Sequence, residues 1–313
     1  MIQQKHELKL KCAVALLLVT AGMAHALTDR YWTGGASIVW KDTGNWASLA
    51  TARIPDTTGE RAVFSGTIVR QPQVNTGANG YSIAQLKFLS AGWTLGSQYS
   101  GYFLVIAGDD GVGTLGVWDN AAGQNTIACN LMLAGNDGNP LEWRVISGGT
   151  LTMTKSISSS GSGLVKTGAG TLILSGANTF SGSTTINAGT VALAGSGSLA
   201  STNIDIASGA VLDVAGLASY AMPSGKTFTF GLANTPGRIT ADSLDITSGR
   251  IVLTGTTPSR AGAYILASYT SLNGSAFASV TGLPPRCALD YNYNNENKIA
   301  LVVMPRGPVL RIR

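Results

Sequence analysis

The chain has 313 residues, of which 44% are apolar, only 12% are charged and 40 are glycine. An ordinary soluble domain carries about 25% charged residues, so hydroxyls and amides must cover this surface, and the apolar share is too high for a disordered chain. The formal net charge of +5 is weak and scattered, which argues against nucleic acid as a partner.

The first element in chain order is an export signal. Lys5, Lys9 and Lys11 give a positive start, Cys12 to Ala24 is almost wholly apolar, and Ala24-His25-Ala26 reads as a small-residue cleavage site. Residues 1–26 are expected to be removed, so that the mature chain begins at Leu27. The apolar run falls short of the ~20 residues that span a bilayer, and the mature chain is not expected to be transmembrane. Cleavage removes Lys5, Lys9, Lys11 and Glu7 and leaves a small basic excess. It also removes both histidines, His6 and His25. A Ser-His-Asp triad, a Cys-His pair and a histidine-ligated metal are then excluded. No cofactor is implied.

Residues 27–147 read as irregular strands, and all six tryptophans lie here: Trp32, Trp40, Trp46, Trp93, Trp118 and Trp143. Trp32, Trp40 and Trp46 cluster near the start. They are candidate carbohydrate contacts if two of them lie coplanar and face solvent, and they cover the end of the core if they are buried. Residues 148–255 carry a clean repeat. Ile146, Ile186, Ile206 and Ile246 each stand three positions before a glycine (Gly149, Gly189, Gly209 and Gly249), and those glycines are spaced by two periods, one period and two periods of about 20 residues. A short apolar alternation follows each: Leu151 and Met153, Val191 and Leu193, Leu212 and Val214, Ile251 and Leu253. Alternation with Ser, Thr and Asn is a strand pattern, and such a fixed period is a solenoid signature. The expected fold is an all-β, right-handed parallel β-helix of about 20 residues per coil. Residues 256–313 read as a cap and tail, with a strand over Tyr264–Tyr269 and a hairpin around Asn294-Asn295-Glu296-Asn297. Irregular ends suit a solenoid, whose open coils expose core and strand edges.

Gly163 to Leu193 reads GLVKTGAGTLILSGANTFSGSTTINAGTVAL. This segment resembles the autotransporter-associated β-strand repeat, also called the passenger-associated transport repeat. The matching elements are Leu164, Lys166, Gly168, Gly170 and Leu172, then Gly176, Asn178, Thr179, Phe180, Ser181 and Gly182, then Thr184, Ile186 and Gly189. Beside the resemblance, the residues themselves read as structural. Leu172, Leu174, Ile186, Ile206 and Ile246 point inward, Phe180 caps a hydrophobic turn, Asn178 supports a corner through backbone groups, and Gly189 permits a turn. The resemblance implies an exported, passenger-like protein at an outer surface or outside the cell, with the periplasm as the alternative. The stretch after Gly255, from Thr256 to Arg313, is too short for the membrane barrel that autotransporters carry. Its end, Pro305 to Arg313, contains prolines and arginines without an apolar span. No anchor is assigned.

Many β-helices cut acidic polysaccharides, but fold alone does not decide activity. The candidate carboxylates are Asp109, Asp110, Asp205, Asp213, Asp242 and Asp245. Asp109-Asp110 sits in a Gly-Asp-Asp-Gly turn. Asp205 and Asp213 alternate with inward residues and should face solvent, and Arg238 and Arg250 are placed to pair with Asp242 and Asp245 across a coil. Cys129 and Cys287 are far apart in the sequence. Their separation is about eight coils, or roughly 38 Å at ~4.8 Å per coil, and a disulfide tolerates about 7 Å. The expectation is therefore a non-catalytic, exported structural or adhesive protein. A glycan or cell-surface component is the expected partner, and a carbohydrate-binding module using Trp32, Trp40 and Trp46 is the alternative. A lyase or glycoside hydrolase is the weaker rival, and the oligomeric state is left open.

Overall fold

A computed structural model describes residues 27–47, 55, 59–75, 80–107, 116–134, 140–159 and 161–305. The export-signal reading at 1–26, the Asp109-Asp110 turn and the tail at 306–313 lie outside the described residues. Among the described residues there is no α-helix, and strands form one 12-stranded, one 11-stranded, one four-stranded and one three-stranded sheet. Each coil runs through the first (12-stranded) sheet and then the second (11-stranded) sheet. Where a third side forms, it joins the third sheet early in the chain or the fourth sheet late in it. One such coil is Leu141–Val145, Gly149–Met153 and Ile157–Ser159. The strands pair in parallel with the coils before and after, which makes a parallel β-solenoid.

Side-chain alternation builds the core. In Thr171–Leu174, Leu172 and Leu174 are buried while Thr171 and Ile173 are half-buried on the outer face. Register turns this into stacks: Leu151 lies beside Leu172, which lies beside Val191, which lies beside Leu212. Each fully buried aliphatic side chain contributes about 1.5–3 kcal/mol. A second stack on the first sheet runs Val117, Trp143, Lys166, Ile186, Ile206, Phe230, Leu253.

The coil length differs from the expectation. On the first sheet the expected step holds only from Leu164 to Thr184 and from Thr184 to Ile204. The first coil is much longer, from Thr28 to Glu60, and the mean spacing is roughly 24. The extra length lies in the corners and in a third strand. The short coils lack that third strand, and Asn178 takes its place. Its Oδ1 accepts from Ile157 N (2.9 Å) in the coil before, and its Nδ2 donates to Ser198 O (2.9 Å) in the coil after. Phe180, fully buried, fills the same side. Gly189 closes the next corner at φ +70°, where a Cβ would stand 2.4 Å from Gly170 O.

The four isoleucines are not one position. Ile186 and Ile206 end strands of the first sheet, Ile246 follows the fourth-sheet strand Ser243–Asp245, and Ile146 is half-buried just past Leu141–Val145. Accordingly Ile251 and Leu253 lie on the first sheet, whereas Leu151, Val191 and Leu212 lie on the second.

Both ends turn antiparallel. Trp46–Ala47 closes the edge beside Thr28–Trp32. At the far end Gly262–Ser268 pairs with Lys298–Val303, which pairs with Cys287–Asp290. The turn between the last two carries positive φ at Asn294, Asn295 and Asn297, a region that asparagine tolerates. Cys129 is buried and Cys287 half-buried, and the two are not bonded.

The stack order makes a test. Ile206 sits between Ile186 and Phe230, so Ile206→Asp buries a carboxylate among apolar groups and is expected to cost about 4 kcal/mol or more. Ile186 has Lys166 beside it, and the positive charge of that neighbour offsets part of the cost of a buried carboxylate, so Ile186→Asp should cost less. Urea denaturation measures both, and equal losses would contradict this order.

Candidate functional site: the outer face of the first sheet

The N-terminal tryptophans are cap, not platform. Trp32, Trp40 and Trp46 are 4%, 0% and 2% exposed. Trp46 meets Trp32 edge-on at 5.0 Å and Trp40 at 4.7 Å between ring centroids. Their indole N–H groups donate to Arg70 O, Pro55 O and Trp40 O. The coplanar, solvent-facing pair that sugar stacking requires is absent from this trio. The reason is packing: the three rings pack on one another in the first coil among the described residues.

The described carboxylates do not converge. Asp205 lies on the outer face of the first sheet and Asp213 on that of the second. Asp213 accepts from Thr240 Oγ1 (2.7 Å) and Ala215 N (3.1 Å). Asp245 lies on the fourth sheet, and hydrogen bonds from Thr247 and Asn273 hold its carboxyl below the usual range. Asp242 follows the strand Arg238–Thr240, at the corner before the fourth sheet. The pairing of Arg238 and Arg250 with Asp242 and Asp245 does not occur among the described residues, where the ion pairs are Arg30–Glu60, Arg61–Asp29 and Lys298–Glu296. Asp245 instead spends its oxygens on neighbouring donors. Also among the described residues, no group of three or more His, Cys, Asp or Glu could hold a metal ion.

Besides the buried Arg30–Glu60 ion pair, Lys166 and Asp119 carry charge into the interior. Lys166 is fully buried, and its Nζ donates to Thr167 O (2.8 Å), Gly168 O (2.7 Å) and Ala188 O (3.1 Å). Burial lowers its pKa to about 8. All three ammonium hydrogens are thus used to tie a corner, which is a structural role. Asp119 stands in an inward stack between Phe88 and Val145. Its Oδ1 accepts from Ala121 N and Asn125 Nδ2, both at 3.1 Å, while its buried Oδ2 has no partner. Burial raises its pKa to about 6.

The same strand carries the feature that sequence reasoning missed. In Gly116–Asp119, Val117 and Asp119 point inward, so Trp118 points out. Trp118 is half-buried on the outer face, whereas the other five tryptophans are at most 4% exposed. Register places Lys87 on one side of it and Arg144 on the other. The Arg144 guanidinium carbon lies 5.7 Å from the indole centroid, a cation–π distance. Trp118 Nε1 donates to Glu142 Oε2 (3.0 Å), and Thr167 Oγ1 donates to Glu142 Oε1 (2.5 Å). Glu142 therefore fixes the ring with both oxygens occupied. The signal for this site was the alternation itself: anchoring the phase on Val117 turns Trp118 outward.

Residues 164–193 match the family model described as passenger-associated-transport-repeat. The match covers the short coils around Thr184 and includes Lys166, Asn178 and Ile186. No curated protein matches the chain.

Asp119 makes stability depend on pH with a definite sign. Its folded pKa, about 6, lies above the unfolded value of 3.8, so between about pH 4 and 6 the folded chain holds a proton that the unfolded chain has released. Stability then falls as pH rises through that window and stays at the lower level above it. Asp119→Asn removes the charge and should remove this fall while keeping an acceptor for Ala121 and Asn125. Thermal denaturation across pH 4 to 7 decides the point, and parallel wild-type and variant profiles would refute it.

Proposed function

We propose that the chain is an exported, passenger-like β-helical protein that acts at the cell surface or outside it as a structural and adhesive element, without a catalytic step. The observation that carries this reading is a passenger-associated transport repeat set within a continuous β-solenoid. In that repeat every distinctive side chain is spent on the fold. Leu172, Leu174 and Ile186 fill the core, Phe180 and Asn178 replace a third strand, and Lys166 ties a corner. Catalysis by acid and base needs groups within reach of one reacting atom, whereas Asp205, Asp213 and Asp245 stand on three different sheets. A column of this kind presents long, lightly charged faces, which suits display and contact.

The test is expression of the full chain in a bacterium with inner and outer membranes, followed by protease treatment of intact cells. Loss of the protein from intact cells, or its recovery from the medium with Leu27 at the N-terminus, is expected. Retention in the cytoplasm with residues 1–26 attached would overturn export. Incubation of the purified chain with a panel of plant and capsular polysaccharides is expected to release no sugar, and sugar release would overturn the non-catalytic reading.

A further inference from the structure

We propose that Lys87, Trp118 and Arg144 form a binding site for a carboxylate-bearing polysaccharide on the outer face of the first sheet. The three residues stand on consecutive coils in register, so the backbone positions of the two cations lie about 10 Å apart, two strand spacings, with Trp118 between them. That is the span of a disaccharide. Neither Lys87 nor Arg144 is in an ion pair among the described residues, whereas Arg30, Arg61 and Lys298 each are. Arg144 is exposed, and Lys87 and Trp118 are half-buried. Unpaired cations on a surface with so few charges attract an anion, and the planar guanidinium fork suits a carboxylate in particular. Arg144 lies over part of the indole, and the rest of the half-buried ring offers an apolar contact for the face of a sugar. Glu142 carries the opposite charge and leaves the cluster at a net +1, but its oxygens accept from Trp118 and Thr167, so it fixes the ring and forms no ion pair with Lys87 or Arg144 among the described residues. A ladder of this kind binds along a chain rather than at a terminus, which suits a polymer. The site supplies a ligand class for the adhesive reading above and rests on that reading only for its biological setting.

Calorimetric titration of the purified full chain with sodium polygalacturonate, neutral dextran and dextran sulfate tests the proposal. Polygalacturonate is expected to bind, with affinity that falls as salt is added, and dextran is not. The double variant K87Q/R144Q should lose about tenfold or more in affinity, about 1.4 kcal/mol, at an unchanged thermal midpoint. Trp118→Leu should also weaken binding. Tyr99→Ala, at an exposed tyrosine that packs edge-on against half-buried Tyr102, should not. Should the double variant shift the midpoint, Arg144→Gln alone decides, since that side chain is exposed. Undiminished binding by the cation variants, equal or tighter binding of dextran sulfate, loss of binding in Tyr99→Ala, or no binding at all would each overturn the site. None of these results bears on export, which is read on intact cells without any glycan.

Discussion

Between the two ends, the strands of the two large sheets hydrogen-bond to the strands one coil before and one coil after, so the column is held by ladders that no single coil can make. Backbone N–H and C=O groups that lack such partners are costly once buried. This requirement explains the ends and the short coils alike. At the N-terminal end the strand Trp46–Ala47 runs antiparallel to the first strand and takes its free edge, while Trp32, Trp40 and Trp46 cover the apolar mouth. At the other end an antiparallel set of strands does the same for the second sheet. Where a coil is too short to hold a third strand, Asn178 serves as a substitute peptide group, accepting from one coil and donating to the next. An asparagine can do this because its side-chain amide has the donor and acceptor of a peptide unit.

The ladder also dictates what the core contains. Stacked positions are filled by whatever the coils above and below leave room for, which is why aromatic, aliphatic and even charged residues share a stack. Lys166 occupies the position of Trp143 and Ile186 in neighbouring coils. It is tolerated because its aliphatic stem fills the core and its ammonium reaches three corner carbonyls. Asp119 is satisfied on one oxygen only. Arg30 and Glu60 are buried together through two hydrogen bonds, from Nε at 2.8 Å and Nη2 at 2.6 Å. Partnered charges of this kind contribute little net stability, but losing one partner leaves the other exposed to the full desolvation cost.

The repeat was legible because two coils of equal length stand together, and alternation of Leu172, Leu174, Val191 and Leu193 with small polar residues marks strands without ambiguity. Asn178 and Ile186 carried roles that their chemistry announces. The count failed where coil length changes. Ile246 stands two full periods after Ile206 in the sequence but falls on a different side of the column. The intervening coils, from Asn203 to Thr227 and from Thr227 to Arg250, are both longer than the repeat. A fixed period has no means of registering an inserted third strand. Trp118 was hidden for a different reason. The sequence Gly-Val-Trp-Asp invites a phase that buries tryptophan and exposes aspartate, and the structure adopts the opposite one. A hydropathy argument prefers the wrong face here, because it cannot know that Asn125 and the Ala121 amide wait inside for the Asp119 carboxylate.

That inversion is what gives the outer face its one oriented indole. Had the strand adopted the phase that hydropathy favours, Asp119 would face solvent and Trp118 would be one more core ring beside Phe88 and Trp93. Instead the column carries a half-satisfied interior carboxyl, and Trp118 is turned outward between two cations. An unfavourable arrangement of this sort persists where the surroundings over-determine it. The surroundings here are specific: Val117 locked in a stack between Leu86 and Trp143, and Gly116 before it at φ +143° with Glu142 O where its Cβ would be. A neighbouring strand so close to Gly116 admits no side chain, so the register of that strand against Leu141–Val145 cannot slip by one residue without a clash. That contact fixes Trp118 beside Arg144, and the separate register of Gln85–Phe88 against Gly116–Asp119 places Lys87 on the other side of the indole.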